Sequence, residues 1–183
     1  QVLSLRKDLS IKLLRGNVDT RIQKLRNHEY DAVILSLAGL ARLNLDHLVT
    51  EVLEHNLFLP AACQGAVGVQ ALKSSEVKKI LAPINDPQTQ TECMAERRVL
   101  KNINANCNSP VSIYANINKN NITIKFEIFD HHGNKIFKKS KEDTKENYVK
   151  LCDELGEEII NTLGQTKINE LDNLKSDFDY TPS

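Results

Sequence analysis

The sequence predicts an α/β protein: part of a parallel-sheet lobe, followed by a small α+β domain with a three-stranded antiparallel sheet. Three observations carry this expectation. Residues 32–37 form an apolar run broken only by Ser36, as a strand covered on both faces requires. Val18, Ile22 and Leu25, just upstream, recur at helical spacing. Far downstream, Ile122, Ile124, Phe126 and Ile128 alternate at period two and lead into a turn cluster at 130–134.

Taken in order, residues 9–14 are short and apolar-rich, and Arg15, Gly16 and Asn17 break the run. This predicts a strand, a turn and then the helix of Val18, Ile22 and Leu25, with Asn17 as N-cap and Asp19 complementing the helix dipole. With the strand at 32–37 the three elements make a βαβ unit. Such units are right-handed and parallel, so both strands should end at one edge of the sheet, near Arg15 and Ala38. A crevice at that edge is the expected ligand site. A short helix carrying Leu40, Leu43 and Leu45 follows, then a second over residues 48–55, which Pro60 closes. Residues 61–69 are small, with Gly65 and Gly68 framing a hinge, and an amphipathic stretch covers 77–81. Pro83 and Pro87 mark a junction near 84–90. Beyond it the pattern predicts a helix over 92–103, strands over 111–117, 122–129 and 135–139, and a helix over 145–163 with Val149, Cys152, Leu155, Ile159 and Leu163 on one face. The polar stretch from about residue 165 to Ser183 is expected to be weakly ordered.

Composition narrows the function. Of 183 residues 40% are hydrophobic and 26% charged, close to globular averages, and no apolar run approaches the roughly 18 residues that cross a bilayer. Twenty-four Lys and Arg balance 24 Asp and Glu, so a nucleic-acid or other polyanion binder working through overall charge is excluded and any anion site must be local. Cys63, Cys93, Cys107 and Cys152 show no CxxC spacing, which argues against a zinc knuckle or a disulfide framework. His28, His47, His55, His131 and His132 lack paired metal spacing, so no metal site is expected. Gln1 opens the chain and Met94 is its only methionine, so the chain is expected to begin inside a longer polypeptide.

Three arginines stand where the crevice should lie. Arg15 ends the first expected strand, Arg21 is one turn into the helix that follows, and Arg42 comes after the second strand. Guanidinium forks beside a helix N-terminus suit carboxylates, so a polycarboxylated small molecule is the natural ligand. The alternative is three solvated surface arginines, and spacing alone does not separate the two.

The segments LRGNVDTRIQKL, EYDAVILSLAGLARL, LPAACQGAVGVQ and AERRVLKNINANCNSPVSIYA occur in that order, and together they resemble the porphobilinogen deaminase (hydroxymethylbilane synthase) family. The resemblance is strong from about residue 9 to 115 and looser beyond. It implies a transferase of tetrapyrrole biosynthesis that joins porphobilinogen units head to tail, losing ammonia each time, on a dipyrromethane cofactor held by a cysteine thioether. Hydroxymethylbilane is then released by hydrolysis.

On this resemblance Cys107, in NANCNSPVS, carries the cofactor covalently from a loop. Arg15 and Arg21 match RGNxxTR and Arg42 lies in AGLAR, all expected on carboxylates of the cofactor and growing chain. Ala38 and Gly39 would allow close backbone approach, and Gln64 and Gly65, in QGA, would form an inter-domain hinge. Glu96 and Arg97 read as a helix-surface or inter-domain pair instead of catalysts.

Two departures stand out. Cys63 occupies a place where the family usually has glycine, and NCNSPVS replaces the commoner GCQVPIG. Ser4 to Lys7 is not the family's SSLRR motif, because the gap to Arg15 is too short. The resemblance therefore implies that the catalytic aspartate lies in a missing N-terminal part and that this fragment alone is inactive; Asp31, Asp46 and Asp130 read as turn or helix-start residues. Expected domains are 1–64, the C-terminal part of a cofactor-binding second domain; 65–86, a hinge returning to the absent first domain; and 87–183, a third domain bearing Cys107. Expected partners are porphobilinogen, the growing polypyrrole chain and the missing N-terminal part, with no nucleic acid and no membrane, in a monomer. The expected compartment is the cytoplasm, with a plastid as alternative. A non-enzymatic, two-lobed periplasmic-type anion-binding module competes with this reading, since fold alone does not separate them.

Overall fold

The computed structural model describes residues 1–72, 75–106 and 109–172. Its centre is a three-stranded antiparallel sheet in the order β1 (Val111–Asn118), β2 (Asn121–Phe129) and β3 (Lys135–Thr144). The alternation read from β2 sets its face: Ile122, Ile124, Phe126 and Ile128 are fully buried. Register places Ile113 opposite Phe126, Ala115 opposite Ile124 and Phe137 opposite Ile128, so one side of the sheet is continuously apolar. On that side pack α5 (Pro87–Asn102), α6 (Tyr148–Leu163) and α7 (Gln165–Asp172), which contribute Ala95, Val99, Leu151, Cys152, Leu155, Ile159, Ile168 and Leu171 to a closed core. The expected antiparallel α+β unit is present.

Several boundaries move for local reasons. α5 starts at Pro87, not 92, because Pro87 is tolerated at the first helical position and Asp86 caps it, accepting a 2.7 Å hydrogen bond from Thr89 N–H. β3 runs on to Thr144, since Thr144 pairs opposite Asn121, and Lys139 and Lys141 reach Glu158 of α6 at 2.5 and 3.0 Å. The stretch expected to be weakly ordered from 165 instead begins with α7, whose Ile168 and Leu171 are buried; residues 173–183 lie outside the described ones. Gly156 lets α6 approach α5: a Cβ built there would lie 2.7 Å from Cβ of Asn102. Asn102 Nδ2 donates to Asp153 Oδ1 at 2.7 Å, and Arg98 grips the same carboxylate with two N–H groups at 2.8 and 2.7 Å.

β1 is an edge strand whose outward amides would otherwise be open to pairing. Ile113 N–H donates to Pro60 O at 3.1 Å, Ala115 N–H to Glu96 Oε1 at 2.8 Å and Ile117 N–H to Glu92 Oε1 at 2.7 Å. Two carboxylates one turn apart on α5, with one loop carbonyl, thus close the edge.

The first half is built from helices and extended segments: α1 (Val2–Leu5), α2 (Val18–Arg26), α3 (Leu37–Arg42) and α4 (Ser75–Leu81). The strands expected at 9–14 and 32–37 are corrected at this level. Neither segment has regular secondary structure before α3 begins at Leu37; the described residues carry only an isolated bridge at Ile11 and no parallel ladder. An apolar run favours extended backbone locally, but a ladder needs a neighbouring strand, and here Leu13 and Ile34 stay exposed. The helix expected over 48–55 is likewise absent; a single 3-10 turn, Asp46–Leu48, is followed by non-helical chain. Val49, Thr50 and Val52 are β-branched and weak helix formers. That segment crosses the outer side of the sheet, where His55 packs at a 56° tilt against Tyr114 with ring centroids 4.3 Å apart and Asn56 Oδ1 accepts from Lys125 Nζ at 2.7 Å.

Candidate anion cleft and its tether

Gly16, at φ 120°, turns the chain into α2 in a conformation that side chains rarely adopt. Asn17 holds the N-cap position as expected, but its side chain makes no capping hydrogen bond. The start of α2 therefore presents backbone N–H groups without a side-chain cap, and these carry the positive end of the helix dipole. Gly16, Asn17, Val18, Asp19 and Arg21 form one wall of a cleft of ≈ 470 Å³; Leu35, Ser36, Gly39 and Leu43 form the other. Arg21 is half-buried, and its Nε donates to Gly16 O at 2.7 Å, which spends one of five N–H donors and orients the rest.

The sequence-predicted residues fall around this cleft unequally. Arg21 and Gly39 line it. Arg15 immediately precedes Gly16, and Arg42, in the last turn of α3, immediately precedes Leu43; both are exposed and outside the lining. Ala38 is exposed beside Gly39. A Cβ built on Gly39 meets nothing nearer than Cβ of Ser36 at 3.8 Å, so the fold itself leaves room there. Asp19, expected as a dipole partner, also shares the wall with Arg21, and its negative charge weakens the local positive field.

Gln64 and Gly65 belong to a tight turn, with Gln64 N–H donating to Ala61 O and Ala66 N–H to Cys63 O, each at 3.1 Å. A Cβ on Gly65 would lie 4.0 Å from Cβ of Ala38, so the turn abuts the cleft. Its other side meets the sheet unit. Cys63 adopts φ 58°, the left-handed region that favours glycine, consistent with the glycine expected there in relatives. Its N–H donates to Glu96 Oε2 at 2.6 Å, while Glu96 Oε1 takes the Ala115 amide.

Glu96 is only 5% exposed, which corrects the helix-surface half of its reading as a helix-surface or inter-domain pair with Arg97. Burial pushes its carboxyl above the usual range, against the two backbone amides that hold it down.

Cys107 and Asn108 lie outside the described residues. On either side, Asn106 N–H donates to Ser109 Oγ at 2.8 Å. Burial pushes the Cys63 thiol up to about 12, with the neighbouring Cys93 thiol and Glu96 carboxylate adding to the shift; burial pushes Cys152 up to about 12 and raises Cys93. None of these three is poised as a thiolate. The five histidines are exposed, no group of three His, Cys, Asp or Glu could hold a metal among the described residues, and no described helix is long and apolar enough to cross a membrane.

Fold and site together define a class: an α/β protein whose candidate anion cleft is tied by a short turn to a compact antiparallel α+β unit. Two family models match in order, "Porphobilinogen deaminase, dipyromethane cofactor binding domain" over residues 1–79 and "Porphobilinogen deaminase, C-terminal domain" over residues 90–161. The porphobilinogen deaminase of Clostridium kluyveri is 37% identical over 162 residues, covering 87% of this chain and 54% of the relative. That of Clostridium botulinum is 38% identical over 160 residues with the same coverage, and that of Roseiflexus castenholzii is 46% identical over 116 residues, 63% of this chain and 38% of the relative. The chain belongs to the porphobilinogen deaminase family, and it spans about half the length of the Clostridium relatives.

Proposed function

We propose that this chain forms part of a transferase that condenses porphobilinogen head to tail, with loss of ammonia, on a dipyrromethane primer bound as a thioether to Cys107, and yields hydroxymethylbilane. The observation that carries the proposal is the match of the cofactor-binding family model to the residues that build the anion cleft. The residues present fit a dipyrromethane: an uncapped helix start and a half-buried guanidinium suit its carboxylates, and Gly39 leaves space for a flat ring. When bound, the primer supplies the pyrrole carbon to which units are added.

The chain's own residues bind and orient. Arg21 and the first-turn amides of α2 hold carboxylates, Arg15 and Arg42 extend that field at the rim, and Ala38 and Gly39 admit close approach. Gln64 and Gly65 form the hinge between domains divided at 64/65 and 86/87. We nominate no acid or base in this chain and assign proton transfer to the part of the family's length that it does not span. Cys107 is taken as the attachment point because its segment NANCNSPVS resembles the family's cofactor-cysteine motif; the raised thiols of Cys63, Cys93 and Cys152 are poorly suited to that role, since thioether formation needs a thiolate.

The test is intact mass of protein of full family length, followed by peptide mapping. An added mass of two linked pyrroles on the Cys107 peptide is expected. Unmodified Cys107 in protein that still consumes porphobilinogen would move the site elsewhere, and unmodified, inactive protein would favour a binding module.

A further inference from the structure

We propose that Glu96 is a positioning residue that clamps the 61–66 turn to the sheet unit and thereby sets the anion cleft relative to the domain expected to bear Cys107. The proposal rests on the porphobilinogen deaminase reading for its functional half only.

The turn is a physical bridge. On one side Gly65 abuts Ala38, next to Gly39 in the cleft wall. On the other, the Cys63 amide donates to one Glu96 oxygen at 2.6 Å, and the second oxygen takes the Ala115 amide of β1 at 2.8 Å. A single carboxylate thus joins a loop amide and a strand amide that are 52 residues apart in the chain. Pro60 O accepts from Ile113 N–H at 3.1 Å, and Cys63 Sγ lies 3.7 Å from Cys93 O, so the contact is continuous over several residues.

The geometry selects Glu over its neutral isostere. Both partners are N–H donors, and only a carboxylate offers an acceptor to each; glutamine would turn an NH2 group toward one of them. Aspartate is one methylene shorter and cannot span both amides. The left-handed backbone at Cys63 adds a reason for a clamp, since such a conformation persists where surrounding contacts hold it.

The experiment compares wild type, Glu96→Gln and Glu96→Asp in two ways. Amide hydrogen exchange on this chain reads the clamp: the Cys63 amide should exchange about tenfold faster in Glu96→Gln, the cost of one charge-assisted hydrogen bond, while core amides such as Ile124 stay protected. Kinetics in protein of full family length read the positioning: kcat should fall on the order of tenfold with KM for porphobilinogen held within about twofold and the Cys107 peptide still modified. Unchanged Cys63 exchange overturns the clamp, and so does an equal rise at every core amide, which would mean a general stability loss. Unchanged kcat with faster exchange overturns the positioning role. If Glu96→Gln does not fold, Glu96→Asp, which keeps the charge and one hydrogen bond, decides by the same readouts. Wild-type protein of full length that lacks both turnover and primer would sink the enzyme reading, while exchange at Cys63 would still judge the clamp.

Discussion

Gly39 sits inside α3, where glycine costs a helix about 1 kcal/mol relative to alanine, and the fold leaves space for a methyl group there. A glycine placed against local propensity, with no steric need from the protein, points outward to whatever enters the cleft. Gly39→Ala should therefore leave the melting temperature unchanged or slightly raised while weakening carboxylate binding and primer retention; calorimetry beside intact-mass analysis checks both halves. A fall in stability with binding intact would reverse the assignment. Cysteine chemistry gives a second residue-scale expectation. Cys152 is fully buried, and its thiol and that of Cys63 are pushed up to about 12, so iodoacetamide at neutral pH should leave Cys152 unlabelled and label Cys63 slowly until the protein is denatured. Rapid labelling of Cys152 in folded protein, read by peptide mass, would contradict the packing described.

Among the elements, the α5–α6 pair concentrates the specific contacts. Gly156→Ala gains helix propensity but drives a methyl group against Asn102, so a net loss of about 1–2 kcal/mol is expected from the overpacking, measured by urea denaturation. Asp153 carries a pH dependence of defined sign. Arg98 and then Asn102 hold its carboxyl below the usual range, so its folded pKa is depressed. The stability it contributes is present above the unfolded value of about 4 and is lost as pH falls through the depressed folded value. Asp153→Asn should flatten the acid limb of the stability–pH curve, modestly, because both partners are 40% exposed. An acid limb as steep as in wild type would show that other carboxylates carry it.

Legibility followed the range of the interactions. β2 and α6 were readable because alternation and helical spacing are local patterns; β2 is buried as read, and of the α6 face Cys152, Leu155 and Ile159 are buried, whereas Leu163 is half-buried and Val149, in the first turn, is exposed. Residues 9–14 and 32–37 form no strand in the described residues, since a ladder depends on neighbours that a local pattern does not contain. Glu96 was missed for a related reason. A carboxylate on a charged helix looks solvated until the edge of β1 and the turn at Cys63 are brought to it by tertiary contact. Arg21 and Gly39 met in one cleft because the sequence places them at the starts of neighbouring helices; which arginine would line the wall depended on the loop path at Gly16.

At the scale of the whole molecule, burial is unevenly shared. The closed core draws its buried members from residues 95–171, whereas before residue 85 only Leu3, Leu40 and Leu59 are buried among the hydrophobic residues described. Local opening free energy follows buried apolar contact and protected hydrogen bonding, so the two halves should differ widely in protection. Hydrogen exchange followed by mass spectrometry on this chain should find amides of β1, β2 and α6 protected for hours. Amides in residues 9–14 and 44–58, which lack a ladder or regular helix, should exchange in seconds to minutes. Leu3 and Leu59 give the contrast an internal control. Leu3 lies against Gly133, so close that a Cβ there would be 2.3 Å from its own Cβ, and Leu59 adjoins the Pro60 carbonyl that pairs with β1. Both anchor the first half to the sheet unit, and Leu59→Ala should speed exchange at Ile113, whose amide donates to Pro60, more than at Ile124 in the core. Equal acceleration at both would mean that the first half is integral to the cooperative unit and not an appended layer.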